Sequence, residues 1–225
     1  MRAELVEVAD AERAPAMKAY QRDQFPFLGV ASKERRAAQK ATLGLLGQQE
    51  KETGAVEVAA DELVAFAEEC WRQDEREFQY VGADALRKHQ KLLQAHHLPA
   101  LRGLITTKSW WDTVDSLAVH TVGPVVARHP ELSDEMDEWI DDDDIWVART
   151  AILHQLSYKE QTDPDRLFAY ADKRATDTEF FIRKALGWAL RQYARTDPDA
   201  VRSFVASREE QLSGLTKREA LKHLS

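Results

Sequence analysis

Apolar residues recur along the chain at spacings of three and four, which is the pattern of helices that bury one face. No segment alternates apolar and polar residues in the way that predicts a strand. The fold class predicted is therefore all-α. The predicted helices cover residues 11–24, 32–46, 58–72, 76–93, 99–107, 110–127, 131–141, 144–158, 164–173, 178–195, 198–206 and 216–224.

Short polar and helix-breaking segments predict where several helices begin and end. The segment Phe25–Gly29 interrupts the first helix, and Gly47–Gly54 is predicted to be a loop. Asp112 follows a predicted cap by three residues, in the arrangement of a capping box. Four acids at 141–144 are predicted to end one helix and begin the next. The predicted N-caps are Ser32, Ser109, Asp163 and Asp197, the last two directly followed by proline.

A weak internal repeat runs through the chain. Alanines at positions 83, 118, 151 and 185 are separated by 35, 33 and 34 residues. A period near 34 with two helices per unit is typical of stacked helical hairpins of the HEAT or tetratricopeptide kind. Such hairpins form an α-α superhelix with a concave binding face, so we expect one continuous domain over residues 1–225.

Composition narrows the class of protein. The 44% hydrophobic and 31% charged residues are ordinary for a globular protein, and the one cysteine, Cys70, excludes a disulfide framework. No run of about 18 apolar residues and no signal peptide pattern is present, so we expect a cytoplasmic protein without a membrane span. Adjacent His96 and His97 lack the one-face spacing of zinc ligands and are interpreted as loop residues. We expect no metal and no cofactor.

The charge distribution is uneven. The net charge is −8, but residues 131–144 hold nine acids and no base, so the remainder of the chain carries −8 + 9 = +1. The segment Ile182–Arg195 holds Arg183, Lys184, Arg191 and Arg195 without an acid. This asymmetry is compatible with a polyanionic partner, although a solvated basic helix face is the commoner explanation.

One stretch, Thr107–Ser116, combines aromatic and acidic residues. Trp111 and Asp115 are four residues apart and therefore share a helix face, an arrangement suited to a cationic or cation-developing ligand. The repeat register places Arg149, Lys184 and Trp188 on equivalent helices, and all five side chains are predicted to line one cleft. The alternative is a core tryptophan beside a solvated aspartate.

The chain resembles the AlkD-type alkylpurine DNA glycosylases, a bacterial family of HEAT-like repeat proteins. The resemblance extends from about Tyr20 to Leu224. It rests on Phe27–Gly29, Glu34–Arg36, Arg76–Gln79, Thr107–Asp112, Val114–Ser116, His129–Leu132, Ile145–Trp146, Arg149, Ala151–Leu153, Glu179–Ile182, Lys184–Ala185, Gly187–Trp188 and Lys217–Ala220.

The resemblance implies a monomeric hydrolase that removes cationic N3- or N7-alkylated purines from double-stranded DNA without flipping the base and leaves an abasic site. It implies that Trp111, Asp115 and Trp188 surround the deoxyribose and that Arg149 contacts the backbone near the lesion. Arg149 could instead pair with the acids at 141–144. The other expected DNA contacts are Tyr20, Lys184, Arg191, Lys217 and Arg218.

Release of a cationic alkylpurine requires only one carboxylate at the site. A cationic alkylpurine leaves as a neutral base, so no acid has to protonate it, and Asp115 would stabilise the developing sugar cation. Two other functions stay open at this point. A HEAT scaffold would bind DNA or protein without cleaving a bond, and a tetratricopeptide module would bind a peptide without strong sensitivity to salt.

Overall fold

The computed structural model describes residues 1–53 and 56–224, which form helices and connecting turns without a strand among them. The all-α prediction is confirmed. None of the described helices has both the length and the apolar character that a membrane span requires. The chain divides into two compact units, Met1–Lys108 and Ser109–Ser225. One continuous domain therefore stays a prediction.

The first unit contains seven α-helices and two short 3-10 turns among its described residues. The helices are α1 (Arg2–Glu7), α2 (Ala14–Tyr20), α3 (Ser32–Ala38), α4 (Lys40–Thr53), α5 (Val56–Arg72), α6 (Arg76–Lys88) and α7 (Leu98–Thr106), and the 3-10 turns are Gln90–Leu92 and Ala95–His97.

The second unit holds the remaining helices. They are α8 (Trp111–Leu117), α9 (Gly123–Arg128), α10 (Ser133–Trp139), α11 (Ile145–Leu153), α12 (Pro164–Lys173), α13 (Phe180–Tyr193), α14 (Pro198–Ser207) and α15 (Gly214–Ala220). A π-helical turn, Ala118–Val122, joins α8 to α9, and 3-10 turns lie at Pro130–Leu132 and Lys159–Gln161.

Side-chain contacts repeat with the period seen in the sequence. The four repeated alanines are buried. Hydrogen bonds within each unit also join residues 32 to 36 positions apart, so one helical hairpin is tied to the next at equivalent places. These pairs are Trp71–Leu104, Arg76–Lys108, Asp115–Arg149, Arg149–Phe181, Gly123–Tyr158, Asp137–Tyr170, Asp172–Arg208, Arg183–Thr216 and Lys184–Glu219.

Two predicted caps are confirmed and two are wrong. Asp163 accepts a hydrogen bond from the Arg166 amide, and Asp197 accepts one from the Ala200 amide, each before a proline. Ser32, in contrast, is the first residue of α3, with Ala31 at the N-cap. Trp110 rather than Ser109 is the N-cap of α8. The N-cap is the residue whose own backbone angles are non-helical directly before the helix, and residue type alone does not set those angles.

The predicted first helix and first loop need correction. Helix α2 is shorter than 11–24, since it begins at Ala14 and ends at Tyr20. Just beyond its C-cap, Arg22 and Asp23 adopt left-handed backbone angles, with φ of 53° and 59°, which end the helix. The predicted loop Gly47–Gly54 is helical as far as Thr53. A single glycine costs a helix only about 1 kcal/mol, and the polar run after it favours helix. Gly54 lies outside the described residues.

The predicted helix 110–127 is two helices joined by the π turn. Pro124 follows Gly123 and cannot donate to the carbonyl four residues earlier, and its ring would clash there, so the backbone widens before it. Gly123 permits a close approach, since a Cβ atom there would lie 2.1 Å from the His154 carbonyl oxygen. The turn at the end of α8 is therefore held against the end of α11.

The segment that interrupts the first helix is held by a buried carboxylate. Glu77 on α6 accepts hydrogen bonds of 2.9 to 3.1 Å from the amides of Leu28, Gly29 and Val30. Gly29 has a φ of 83°, which an L side chain rarely adopts. The loop is thus packed into the first unit by its backbone, because every buried amide must find an acceptor.

His154, which is fully buried at the end of α11, makes stability depend on pH. Burial lowers the pKa of His154 from 6.5 to about 4, because its cation is poorly solvated there. The unfolded chain binds the proton more readily, so this contribution is present above pH 6.5 and is lost as pH falls towards 4. We expect a loss of about 3 kcal/mol over that range.

The free energy of unfolding, measured by urea titration at several pH values, tests this expectation. His154→Asn retains a donor for the Ala151 carbonyl but does not titrate, so its pH dependence should be flatter than that of the wild type. His96→Asn, at an exposed histidine, is the control. Equal slopes for the wild type and His154→Asn would contradict the assignment.

Candidate active site

Three helices of the second unit carry the three predicted catalytic residues and Arg149, which was predicted to contact DNA. Helix α11 packs against both α8 and α13. Trp111 and Asp115 lie one turn apart on α8, Arg149 lies on α11, and Trp188 lies on α13. The repeat thus places these residues on neighbouring helices of the second unit.

Asp115 and Arg149 form a bidentate ion pair. The Arg149 Nε donates to Asp115 Oδ1 at 2.7 Å, and Nη2 donates to Oδ2 at 2.8 Å. The third donor group of Arg149, Nη1, is bonded to the backbone carbonyl of Phe181 on α13. The side chain of Arg149 is only 3% exposed and that of Asp115 16%. The guanidinium therefore fixes the carboxylate with respect to two helices.

The charge of Asp115 is subject to opposing influences. Burial raises the pKa of the Asp115 carboxyl above its ordinary value, while the hydrogen bonds and charge of Arg149 lower it. Nearby Asp112 adds a smaller upward contribution. Because a carboxylate has about four acceptor positions and Arg149 uses two, Asp115 retains acceptor positions for a ligand or a water molecule.

An aromatic cluster stands beside this ion pair. The rings of Trp110 and Trp146 are 5.7 Å apart, and both contact Phe181, at centroid distances of 5.2 and 4.9 Å. The Phe181 ring lies 5.9 Å from the Arg149 guanidinium. An apolar ring beside the guanidinium lowers the local dielectric and so strengthens the electrostatic interactions of the pair. The exposed Phe180 ring meets Phe181 edge-on.

The two tryptophans predicted to contact the sugar are both partly buried. Trp111 shares a face of α8 with Asp115, as the spacing predicts. Trp188 lies seven residues after Phe181 and so shares its face of α13. The roles of Trp111, Asp115 and Trp188 in catalysis stay predictions.

The alternative partner for Arg149 is wrong. Residues 141–144 connect α10 to α11, with Asp144 as the N-cap of α11, and their acids have other contacts. Asp144 caps α11 through the Trp146 amide at 2.8 Å, and Asp141 pairs with Lys173. The longer acidic segment 131–144 also contains Asp137, which pairs with Arg166. These carboxylates therefore stabilise helix ends and helix packing.

The predicted DNA contacts differ in their surroundings. Lys184 and Arg191 on α13 both pair with Glu219 on α15, at 2.6 and 2.5 Å. Lys217 on α15 donates to the Glu209 carbonyl, and Arg218 is exposed. In the first unit, Tyr20 is 72% exposed at the end of α2. The DNA contacts of these residues and of Arg149 stay predictions.

Two adjacent histidines in the first unit, His96 and His97, were predicted to be loop residues but lie in a 3-10 turn. His96 and His97 end a 3-10 turn, and their nitrogens and an Asp61 oxygen lie within 4.8 Å of one another. His97 Nδ1 lies 3.0 Å from the Gln94 amide, and His97 Nε2 lies 3.2 Å from Asp61 Oδ1.

Three groups that contact the predicted site residues or lie beside them were not predicted from the sequence. They are the Phe181 carbonyl, the Trp110–Trp146 pair and the carboxylate of Glu219. The repeat offered a signal for the first two, because 115, 149 and 181 are separated by 34 and 32 residues, and 110 and 146 by 36. The repeat also relates Glu219 to Lys184, 35 residues away, but not to Arg191, 28 residues away.

Comparisons with known proteins cover nearly the whole chain. The family model described as DNA alkylation repair enzyme matches residues 1–224. A solved structure of a predicted DNA alkylation repair enzyme from Enterococcus faecalis is 32% identical, with a TM-score of 0.84, over 96% of this chain and 97% of that chain. No curated protein matches.

A more distant structure supports the fold alone. The protein smu.31 from Streptococcus mutans UA159 is 15% identical, with a TM-score of 0.58, over 80% of this chain and 98% of that chain. The family match and the identity to the Enterococcus faecalis protein both extend through α8, α11 and α13. The chain belongs to the DNA alkylation repair enzyme family.

Proposed function

We propose that the protein is a monofunctional DNA glycosylase that hydrolyses the N-glycosidic bond of N3- or N7-alkylated purines in duplex DNA. The observation that carries this proposal is the position of the Asp115 carboxylate. It is partly buried, lies on the same helix face as Trp111, and is held in place by Arg149 from α11. We further propose that it acts as a monomer in the cytoplasm, without a metal or cofactor and without flipping the base.

The reaction requires little proton transfer. As the bond between C1′ and the purine nitrogen breaks, its electron pair moves to the cationic base, which leaves neutral. Positive charge develops on the sugar, where the Asp115 carboxylate stabilises it electrostatically. A water oxygen then bonds to C1′, and its proton passes to Asp115 and on to solvent.

The remaining residues support this step. Trp111 and Trp188 would present ring faces to the sugar cation, each contributing about 0.5–2 kcal/mol. Arg149 is a positioning residue in this scheme, since its three nitrogens hold Asp115 and the Phe181 carbonyl. Its guanidinium is almost fully buried in this arrangement, so backbone phosphates would be bound by the more accessible cations of α13 and α15.

A base-release assay tests the proposal. Duplex DNA containing 7-methylguanine or 3-methyladenine is incubated with the protein, and free base is measured by chromatography. We expect release of the alkylated base and formation of an abasic site, while the same duplex with unmodified purines stays intact. DNA binding without any release would favour a non-catalytic scaffold instead.

DNA binding should weaken steeply with salt despite the acidic net charge. Removing a side chain that binds one phosphate should flatten the slope of log K against log salt by about 0.9. We therefore expect Arg218→Gln to flatten it, as measured by fluorescence anisotropy with a labelled duplex. Arg202→Gln on α14, at an arginine paired with Asp199, is the control. An unchanged slope for Arg218→Gln would assign the DNA to another face.

A further inference from the structure

Glu219 on α15 pairs with two cations of α13. Its two carboxylate oxygens are divided between two cations, Oε1 at 2.6 Å from Lys184 Nζ and Oε2 at 2.5 Å from Arg191 Nη1. These cations are two of those proposed to bind DNA. Lys217 and Arg218 directly precede Glu219 on α15.

The backbone of α13 is shaped to receive this carboxylate. Lys184, Gly187 and Arg191 lie at spacings of three and four and so share one face of the helix. A Cβ atom on Gly187 would lie 2.4 Å from the Cβ of Glu219 and 2.9 Å from the Thr216 carbonyl oxygen. The glycine therefore lets α15 approach closely enough for Glu219 to reach both cations.

The charges of this cluster remain accessible. Lys184 is 40% exposed and Arg191 21%, whereas Glu219 is 16% exposed. The ammonium of Lys184 holds the pKa of the Glu219 carboxyl below its ordinary value, so the carboxylate is ionised at neutral pH. Two cations that could bind phosphate thus carry a net local charge of 2 − 1 = +1 while Glu219 pairs with them.

We propose that Glu219 is an internal competitor of DNA phosphates, which occupies Lys184 and Arg191 in the free protein and limits the affinity for duplex DNA. This inference rests on the proposed function, because it takes α13 and α15 as part of the DNA-binding surface. Phosphate and carboxylate are both anionic acceptors for the same donors, so DNA must displace Glu219 or share its partners. An affinity held down in this way favours release of the product duplex.

The test is Glu219→Gln, measured by anisotropy with an undamaged labelled duplex over a range of salt concentrations. We expect binding about three- to tenfold tighter at low salt and a slope steeper by about 0.9 for each additional phosphate that is bound. The matched control is Asp172→Asn on α12, which makes the same charge change and frees Arg208. Should Glu219→Gln not fold, Glu219→Met keeps a chain of similar length against Gly187 and has the same expected effect.

The outcomes separate this inference from the function. Tighter, more salt-sensitive binding by Glu219→Gln but not by Asp172→Asn supports it. Lower thermal stability with unchanged affinity would make Glu219 a helix clamp only, and equal tightening in both variants would make the effect one of net charge. Either result overturns the inference but leaves the base-release assay unaffected, whereas a wild type that does not bind duplex DNA overturns both.

Discussion

Asp115→Asn should reduce the rate of 7-methylguanine excision by about 10²–10³. Asparagine is nearly isosteric and keeps an oxygen, but it lacks the negative charge that opposes the developing sugar cation. Removal of one preorganised electrostatic partner at a reacting centre typically costs this much. The measurement is single-turnover release of base at matched concentrations of folded protein, because the substitution also leaves the buried Arg149 with a neutral partner.

Asp112 provides the control within the same helix. It lies in the first turn of α8, where its Oδ1 accepts a hydrogen bond from the Thr113 amide at 2.9 Å. Asp112→Asn should therefore cost at most about 1 kcal/mol of stability and little activity. Wild-type activity in Asp115→Asn, or a larger loss in Asp112→Asn, would show that the carboxylate is assigned wrongly.

Arg149→Met should destabilise the protein by about 3 kcal/mol and also reduce excision. Removing one partner of a buried ion pair leaves the other charge uncompensated, which costs more than the pair itself contributes. Methionine fills much of the volume but donates to neither Asp115 nor the Phe181 carbonyl. The free energy of unfolding is measured by urea titration, and the excision rate at saturating DNA separates positioning from binding.

The double variant Asp115→Asn/Arg149→Met is the decisive comparison. If the two side chains act as a pair, its loss of stability should be smaller than the sum of the two single losses. If Arg149 acted only as a phosphate contact, Arg149→Met would keep its stability, weaken DNA binding and flatten the salt slope by about 0.9. That result would assign Arg149 as a phosphate contact and not as a positioning residue for Asp115.

Helix propensity and periodicity are local properties, and the sequence alone was sufficient for them. The all-α class and the shared face of Trp111 and Asp115 follow from spacings of three and four residues. The two Asp-Pro helix starts follow from an N-cap residue directly before a proline. The 34-residue repeat also predicted that Asp115 and Arg149 occupy equivalent helices. Their places in catalysis and DNA binding stay predictions.

Contacts between helices were decided by the tertiary structure. The sequence allowed Arg149 to pair with the acids at 141–144 next to it in the chain, but packing of α11 against α8 and α13 gave it Asp115 and the Phe181 carbonyl. In the sequence, Lys184 and Arg191 lie in a basic segment without an acid. In the structure, α15 packs against Gly187 and places Glu219 beside both of them. A buried charged side chain pairs with an opposite charge that is buried beside it, and the packing of the helices decides which charge that is.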